Sequence, residues 1–313
     1  MPATPKVYVI VLNFRGADDT IGCLQSLDRS TFRGFEAIVV DNASGDDSLA
    51  RIQAAVSSRV SYPLEFIQSP RNDGFATGNN IGLRAAMARG DGTHYWLLNN
   101  DTIVDSRALG ALVEAAEADR SASLRIGQYG SKLLYASHPG VIQGVGNRYN
   151  RWFGVTQQIG DREVDRGQYN DAASVADLLN GASFFVRDDF VRDVGVLAED
   201  YFLYFEEHDW AERGRRAGWG LRIVPASVVH HKQGVAIGAA GGDPARKSRL
   251  SDFYSIRSRL LFTAKFHWYC LPTVYLGLLW SVVLRITRGQ WNRVPMIVRL
   301  MFTFRRAPDF PAF

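Results

Sequence analysis

The chain has 313 residues, 22% of them charged and 46% apolar, with a formal net charge of +4. That composition excludes a disordered or fibrous chain and suits one large domain, or one domain with an appendage. Two cysteines, Cys23 and Cys270, are too few for a disulfide framework and point to a reducing compartment.

The charge is unevenly placed. From Arg246 onward there are twelve Lys and Arg against two acids, Asp252 and Asp309, so the preceding body is net acidic. A basic tail on an acidic body points to an anionic surface as partner. The first residues, Met1 to Lys6, lead directly into a strand pattern, and no signal peptide is expected.

Val7 to Leu12 reads as a buried strand ending at Asn13. Helical spacing follows over residues 17 to 28, with Ile21, Leu24 and Leu27 on one face. Phe35 to Val40 is a second strand, ending at Asp41-Asn42, and Ser44 to Asp47 opens a second helix. Leu64 to Gln68 is a third strand. The loop Asn72 to Gly78 then opens a third helix through Ile81, Leu83 and Met87.

Tyr95-Trp96-Leu97-Leu98 is an apolar run that enters Asn99-Asn100-Asp101, and a helix is expected near Ser106 to Ala118. Four alternations of strand and helix predict a parallel sheet with right-handed crossovers and helices on both faces. Asn13, Asp41-Asn42, Arg71-Asn72 and Asn99 to Asp101 then fall on one sheet edge, the carboxyl edge where open α/β sheets bind ligands. Asp101 supplies a hard oxygen suited to Mg2+ or Mn2+, a metal that usually also holds substrate phosphates. The first strand is not followed by Gly-x-Gly-x-x-Gly, and there is no P-loop lysine, which disfavours a dinucleotide-dependent dehydrogenase.

From Ile126 to Asp177 the pattern loosens into irregular strands and a long loop lining a cleft. Leu178 to Val186 reads as strand, turn, strand, and Arg187-Asp188-Asp189-Phe190 starts a short helix. The aromatic run Tyr201 to Phe205 ends in Glu206-Glu207-His208-Asp209, at the start of a helix closed by Gly218. A carboxylate beside apolar walls suits a general base, although acids also favour a helix's first turn. Val224 to Val229 is a strand ending in His230-His231, of which one is a candidate ligand.

In this order the motifs resemble the family 2 glycosyltransferases of GT-A fold, especially their bacterial rhamnosyltransferase-like branch. The resemblance rests on Val9 to Phe14, Val39 to Ser44, Asn72 to Gly82, Leu98 to Asp101, Asn180-Gly181-Ala182, Tyr204 to Trp210 and Val228 to His231, and it covers roughly residues 5 to 265. It implies an α/β domain over residues 1–240, with a nucleotide-binding half (1–120) and an acceptor half (121–240). A basic helical, membrane-associating extension (241–313) would follow.

It also implies roles. Asp41 with Asn13 would contact the base and ribose, Arg71 and Asn72 would lie near the nucleotide, and Asn80 would shape that loop. Asp101 matches the last acid of the family's Asp-x-Asp motif and would hold Mg2+ or Mn2+ and the diphosphate, with Asn99 replacing the first acid and Asn100 between them. His230 would be the late metal-side histidine, with His231 as fallback. Glu207 stands where the family has its catalytic Asp and would be the base, with Asp209 competing. The implied reaction inverts the anomeric centre, transferring rhamnose from dTDP-rhamnose, or a hexose from a UDP-sugar. The acceptor would be a glycan or lipid-linked glycan of bacterial cell-surface polysaccharide, at the inner face of the plasma membrane.

Two alternatives remain at this level: a non-catalytic sugar-nucleotide-binding protein and a nucleotidyltransferase. For the latter Asn13-Phe14-Arg15-Gly16 is a poor match. Nucleic-acid binding is not expected, because the basic residues interleave with an apolar tail. In that tail, Arg246 to Phe266 reads as a helix with Phe253, Ile256, Leu260 and Leu261 on one side and Arg257 and Arg259 on the other. Trp268 to Leu284 is uncharged for seventeen residues, followed by Arg285, Arg288 and Arg293. It suits an interfacial helix, a packed core helix or a short span.

Overall fold

The computed structural model describes residues 4–170, 176–232 and 248–306. Met1 to Ala3, Asp309 and the expected start of the tail helix, Arg246-Lys247, lie outside the described residues. The first half alternates β1 (Val7–Asn13), α1 (Ala17–Leu27), β2 (Phe35–Asp41), α2 (Ser48–Val56), β3 (Leu64–Gln68), α3 (Phe75–Ala88) and β4 (His94–Asn99). These four strands are mutually parallel in the order β3-β2-β1-β4, with Asn13 in register with Asp41 and Leu12 with Asn99. The polar strand ends therefore gather at one edge. Their apolar runs are continuous because both faces are covered. Val7, Val9 and Val11 pack with α1, α2 and a later helix, while Tyr8 and Ile10 pack on the other side with α3.

The second half comprises β5 (Thr102–Val104), α4 (Ala108–Ser121), β6 (Ile126–Tyr135), β7 (His138–Gly144), β8 (Asn147–Asn150), β9 (Val155–Gln158), β10 (Ser183–Arg187), α5 (Asp188–Val194), α6 (Glu206–Arg216) and β11 (Gly220–His231). Here strand directions mix. β10 runs antiparallel to β4 and β6, β11 is parallel to β6, and β5 is antiparallel to β11. The sheet is thus a continuous nine-stranded surface, with β7 on β6 and a separate β8–β9 ribbon.

Where irregular structure was expected after Ile126, β6 is a ten-residue strand inside the sheet. Its Gly127, Gln128, Gly130, Ser131 and Lys132 break the apolar pattern although all are buried. Ser131 Oγ shares hydrogen bonds with Ser183 Oγ and Ser227 Oγ, each at 2.8 Å, so a polar core stands where periodicity looks for an apolar one. Of the expected strand pair at 178–186, Leu178 makes only an isolated bridge to Asn147, and β10 is the regular strand.

Three helices close the described chain: α7 (Arg249–Phe266), α8 (Leu271–Thr287) and α9 (Val294–Thr303). They share an apolar core of Phe253, Leu260, Val274, Leu278, Ile297 and Leu300, and Leu203 joins it from the loop before α6. Asp252 is 3% exposed and holds Arg285 in a two-pronged contact (2.6 and 3.1 Å) together with Arg293. Two of the three basic residues expected to flank an apolar helix are therefore spent inside the bundle.

Candidate active site

A cavity of about 880 Å³ opens along the carboxyl edge of β1, β2 and β4. Its walls include Asn42, Asn72, Asn99, Asn100 and Asp101 from the first half, and Thr156, Glu207, His208, His231 and Arg259 from the second half and α7.

Asn13 and Asp41 lie behind this wall. Asn13 Nδ2 donates to Asp41 Oδ1 at 2.7 Å, and Asp41 also accepts from the Ser44 amide (3.1 Å) and hydroxyl (2.5 Å). Both are buried and outside the cavity lining, while Asn42 reaches it and donates to Asn72 Oδ1 at 2.9 Å. Arg71 is largely exposed and pairs with Asp73. Asn80 is fully buried in α3 and pins the 197–199 segment, donating to Leu197 O (2.9 Å) and Glu199 Oε1 (2.8 Å). Asn100 Nδ2 donates to Thr20 Oγ1 at 3.0 Å.

Asp101 and a histidine do meet, but the histidine is His231 rather than His230. β5 pairs His231 with Thr102, and the Lys232 amide donates to Asp101 O at 2.9 Å. Successive strand residues face opposite sides. His231 Nε2 therefore stands 3.1 Å from Asp101 Oδ1, while His230 stays outside the cavity lining, its pKa lowered by burial against the opposing charge of Asp105. Gln143 Oε1 lies 2.8 Å from His231 Nδ1. With Nδ1 turned to Gln143, Nε2 is turned to the Asp101 carboxylate. Among the described residues no group of three or more His, Cys, Asp or Glu converges as a closed metal cage. A two-ligand site open to substrate oxygens nevertheless suits Mg2+ or Mn2+.

Across α6's first turn the acids differ. Glu207 faces the cavity with its side chain 21% exposed. Burial pushes its pKa up most strongly, but the neighbouring His208 imidazole and backbone amide hydrogen bonds together outweigh it, and the net shift is downward. Its Oε1 lies 3.4 Å from His208 Nδ1 and its Oε2 makes no hydrogen bond. His208 is itself held by Thr156, with Nε2 and Oγ1 at 2.7 Å, and stacks on Phe205. Glu206 is buried, and burial followed by the charge of Glu207 raises its pKa well above the carboxylate range. Asp209 is buried away from the cavity, spent on Arg213 Nε (2.6 Å), Lys265 Nζ (2.7 Å) and Tyr201 OH (3.2 Å).

The loops at this edge are conformationally costly. Arg15, Ala43, Tyr204 and Phe205 all have left-handed φ, between 54° and 72°, without being glycine. Such residues cost about 1–3 kcal/mol each and persist where the surroundings enforce them. Gly74 has φ 96°, and a Cβ there would stand 2.2 Å from Phe202 O. Its neighbour Phe75 donates its amide to that same oxygen at 2.8 Å, tying the 72–75 loop to the turn that carries Glu207.

Three contributors were not singled out from sequence. Gln143 orients His231, Thr156 holds His208, and Arg259 faces the cavity. Arg257 and Arg259 do not share a face of α7, because residues two apart on a helix point about 200° apart. Arg257 instead donates to Asp200 O at 3.2 Å.

The family model for glycosyl transferase family 2 matches residues 8–167. The chain belongs to that family. Among curated proteins it is similar to the N-acetylglucosaminyl-diphospho-decaprenol L-rhamnosyltransferase of Mycobacterium tuberculosis, at 29% identity over 80% of this chain and 81% of the relative. Among solved structures it is similar to GalNAc-T7 with UDP, GalNAc and Mn2+ (TM-score 0.59, 15% identity, covering 74% of this chain and 44% of that one). It is also similar to S. aureus TarS 1-349 with UDP-GlcNAc (TM-score 0.58, 15% identity, covering 96% and 80%). These likenesses establish the GT-A fold.

Proposed function

We propose that the chain is an inverting glycosyltransferase that moves a sugar from a nucleoside diphosphate to an acceptor hydroxyl. The reading rests most on Glu207, a charged carboxylate with one unpartnered oxygen, lining the same cavity as the Asp101–His231 pair. Glu207 takes the acceptor's proton as the hydroxyl attacks, and the reaction inverts the anomeric centre. His208, which Thr156 holds in place, and backbone amides at the start of α6 favour the ionised form of Glu207. Asp101 and His231 would hold Mg2+ or Mn2+, leaving the remaining positions to diphosphate oxygens and water. Such a cation, when bound, neutralises charge on the leaving diphosphate. Asn42, Asn72, Asn99 and Asn100 would line the nucleotide, with Asn13, Asp41 and Asn80 bracing the loops that present them.

Residues 1–240 form the transferase domain in this reading, with 1–120 binding donor, 121–240 binding acceptor and 241–313 as the extension. The donor is dTDP-rhamnose, with UDP-hexoses next, because the rhamnosyltransferase relative spans most of both chains. That relative's name specifies a sugar on a diphospho-lipid, which favours a lipid-linked acceptor in bacterial cell-surface polysaccharide synthesis here as well. Trp268, Leu276, Leu279 and Trp280 are exposed on or just before α8, near exposed Arg288, which suits contact with the cytoplasmic face of the membrane.

Hydrolysis of a panel of sugar nucleotides, with and without Mg2+ or Mn2+, tests the reading. One donor should release its nucleoside diphosphate only with metal. Asp101→Ala should lose metal-dependent donor binding in calorimetry, and unchanged binding would remove Asp101 from the metal site.

A further inference from the structure

Arg259 is the only Lys or Arg among the described residues lining the cavity. It projects from α7, partly covered, and its Nε is sealed from water without a hydrogen bond. Its side chain makes no ion pair or hydrogen bond among the described residues. Several other buried or partly buried cations are ion-paired, Arg285 and Arg293 with Asp252, Arg187 with Asp189 and Lys132 with Asp165, and Arg257, whose Nε is also orphaned, still donates to Asp200 O. A covered guanidinium without a partner is costly to the fold, and a cation kept at such cost in a cavity marks a site for an anion.

The surroundings say which anion. The stem of Arg259 runs along Gly154, where a Cβ would stand 2.9 Å from Arg259 Cγ, and this glycine has φ 64°. Gly154 sits in the β8–β9 turn, whose Trp152 and Phe153 are 53% and 48% exposed. Trp152 packs edge-on to Tyr269 at 6.2 Å, and Thr273 of α8 donates to Trp152 O, so the turn and α8 present one apolar surface beside the cation. Asp101 and His231 line the same cavity from other elements, the β4–β5 turn and β11. A phosphate next to an exposed apolar surface is the headgroup of an amphipathic lipid.

We propose that Arg259 binds the diphosphate of a lipid-linked acceptor, with the lipid chain lying over the β8–β9 turn and α8. This rests on the glycosyltransferase reading and adds the acceptor's anchoring residue to it. Donor and acceptor both carry diphosphate, so the test separates the two sources.

Farnesyl diphosphate, farnesol and a donor nucleotide with Mn2+ are titrated into the full chain and into Arg259→Met and Arg259→Lys. The wild-type chain should bind farnesyl diphosphate and bind farnesol at least ~10-fold more weakly, and Arg259→Met should lose at least ~10-fold in affinity for the diphosphate. Arg259→Lys should keep part of that affinity, and donor-nucleotide affinity should be retained in both variants. The Tm of Arg259→Met should be unchanged or higher, because an unpaired covered charge is removed. Loss of nucleotide affinity would place Arg259 on the donor and overturn the proposal, as would farnesyl diphosphate binding that ignores both substitutions. If no sugar nucleotide binds the wild-type chain while farnesyl diphosphate still depends on Arg259, the transferase reading fails and the anion site stands.

Discussion

Glu206 and Glu207 are adjacent on α6, and burial treats them differently. Glu207 meets the cavity and the His208 imidazole and stays charged. Glu206 is buried, has an unpartnered Oε2 and carries its neighbour's repulsion, so it holds its proton. Two acids whose environments push them apart form an acid and a base at one pH. A carboxyl whose folded pKa is raised favours folding at acid pH. That contribution is lost as pH climbs from the ordinary carboxylate range through the raised value. Glu206→Gln fixes the neutral form, and should raise Tm at pH 7 by about 2–4 °C. Near pH 4, where the unfolded carboxyl is also largely protonated, the difference should shrink toward nothing. Thermal unfolding at both pH values checks this, and a lower Tm at pH 7 would mean that Glu206 is ionised in the fold.

At the scale of elements, α8 is the least satisfied. With the turn before it, the segment Trp268–Thr287 has a mean hydropathy of 1.5, yet only 22% of it is buried against the rest of the chain. Val274 and Leu278 pack inward while most of the segment is left uncovered by the described chain. Trp280→Ser, combined with Trp268→Ser, should reduce co-sedimentation with anionic liposomes at low salt by at least ~10-fold, while sugar-nucleotide hydrolysis in solution is kept. Undiminished sedimentation would show that this face does not meet the bilayer.

The parallel strands were legible because uninterrupted apolar runs stop abruptly at Asn13, Asp41 and Asn99. β6 was not, because its buried Ser131 is satisfied only once Ser183 of β10 and Ser227 beside it in β11 lie alongside. The choice between His230 and His231 also escaped periodicity. β11 shifts register on β6 between Val224 and Val228, and only the pairing with β5 settles which imidazole reaches Asp101. In sequence Asp209 competes with Glu207 for the role of base. Its ion pairs with Arg213 and with Lys265, 56 positions away, are what turn it inward.

Across the whole molecule the sheet is continuous, so strand ends from β1, β2 and β4 and residues of β11 and α6 meet around one cavity. The close approach of Gly74 to Phe202 locks the 72–75 loop to the turn before Glu207. Helix α7 fastens the same turn from outside: Ser258 Oγ donates to Leu203 O at 2.9 Å, and Lys265 reaches Asp209. The C-terminal helices therefore hold the turn that carries Glu207 as well as presenting α8. The central claim is that Glu207 deprotonates the acceptor at this junction, and steady-state transfer by Glu207→Gln measures it most directly. The account expects turnover to fall by at least ~10²-fold with sugar-nucleotide affinity retained; turnover near that of the unsubstituted chain would contradict it.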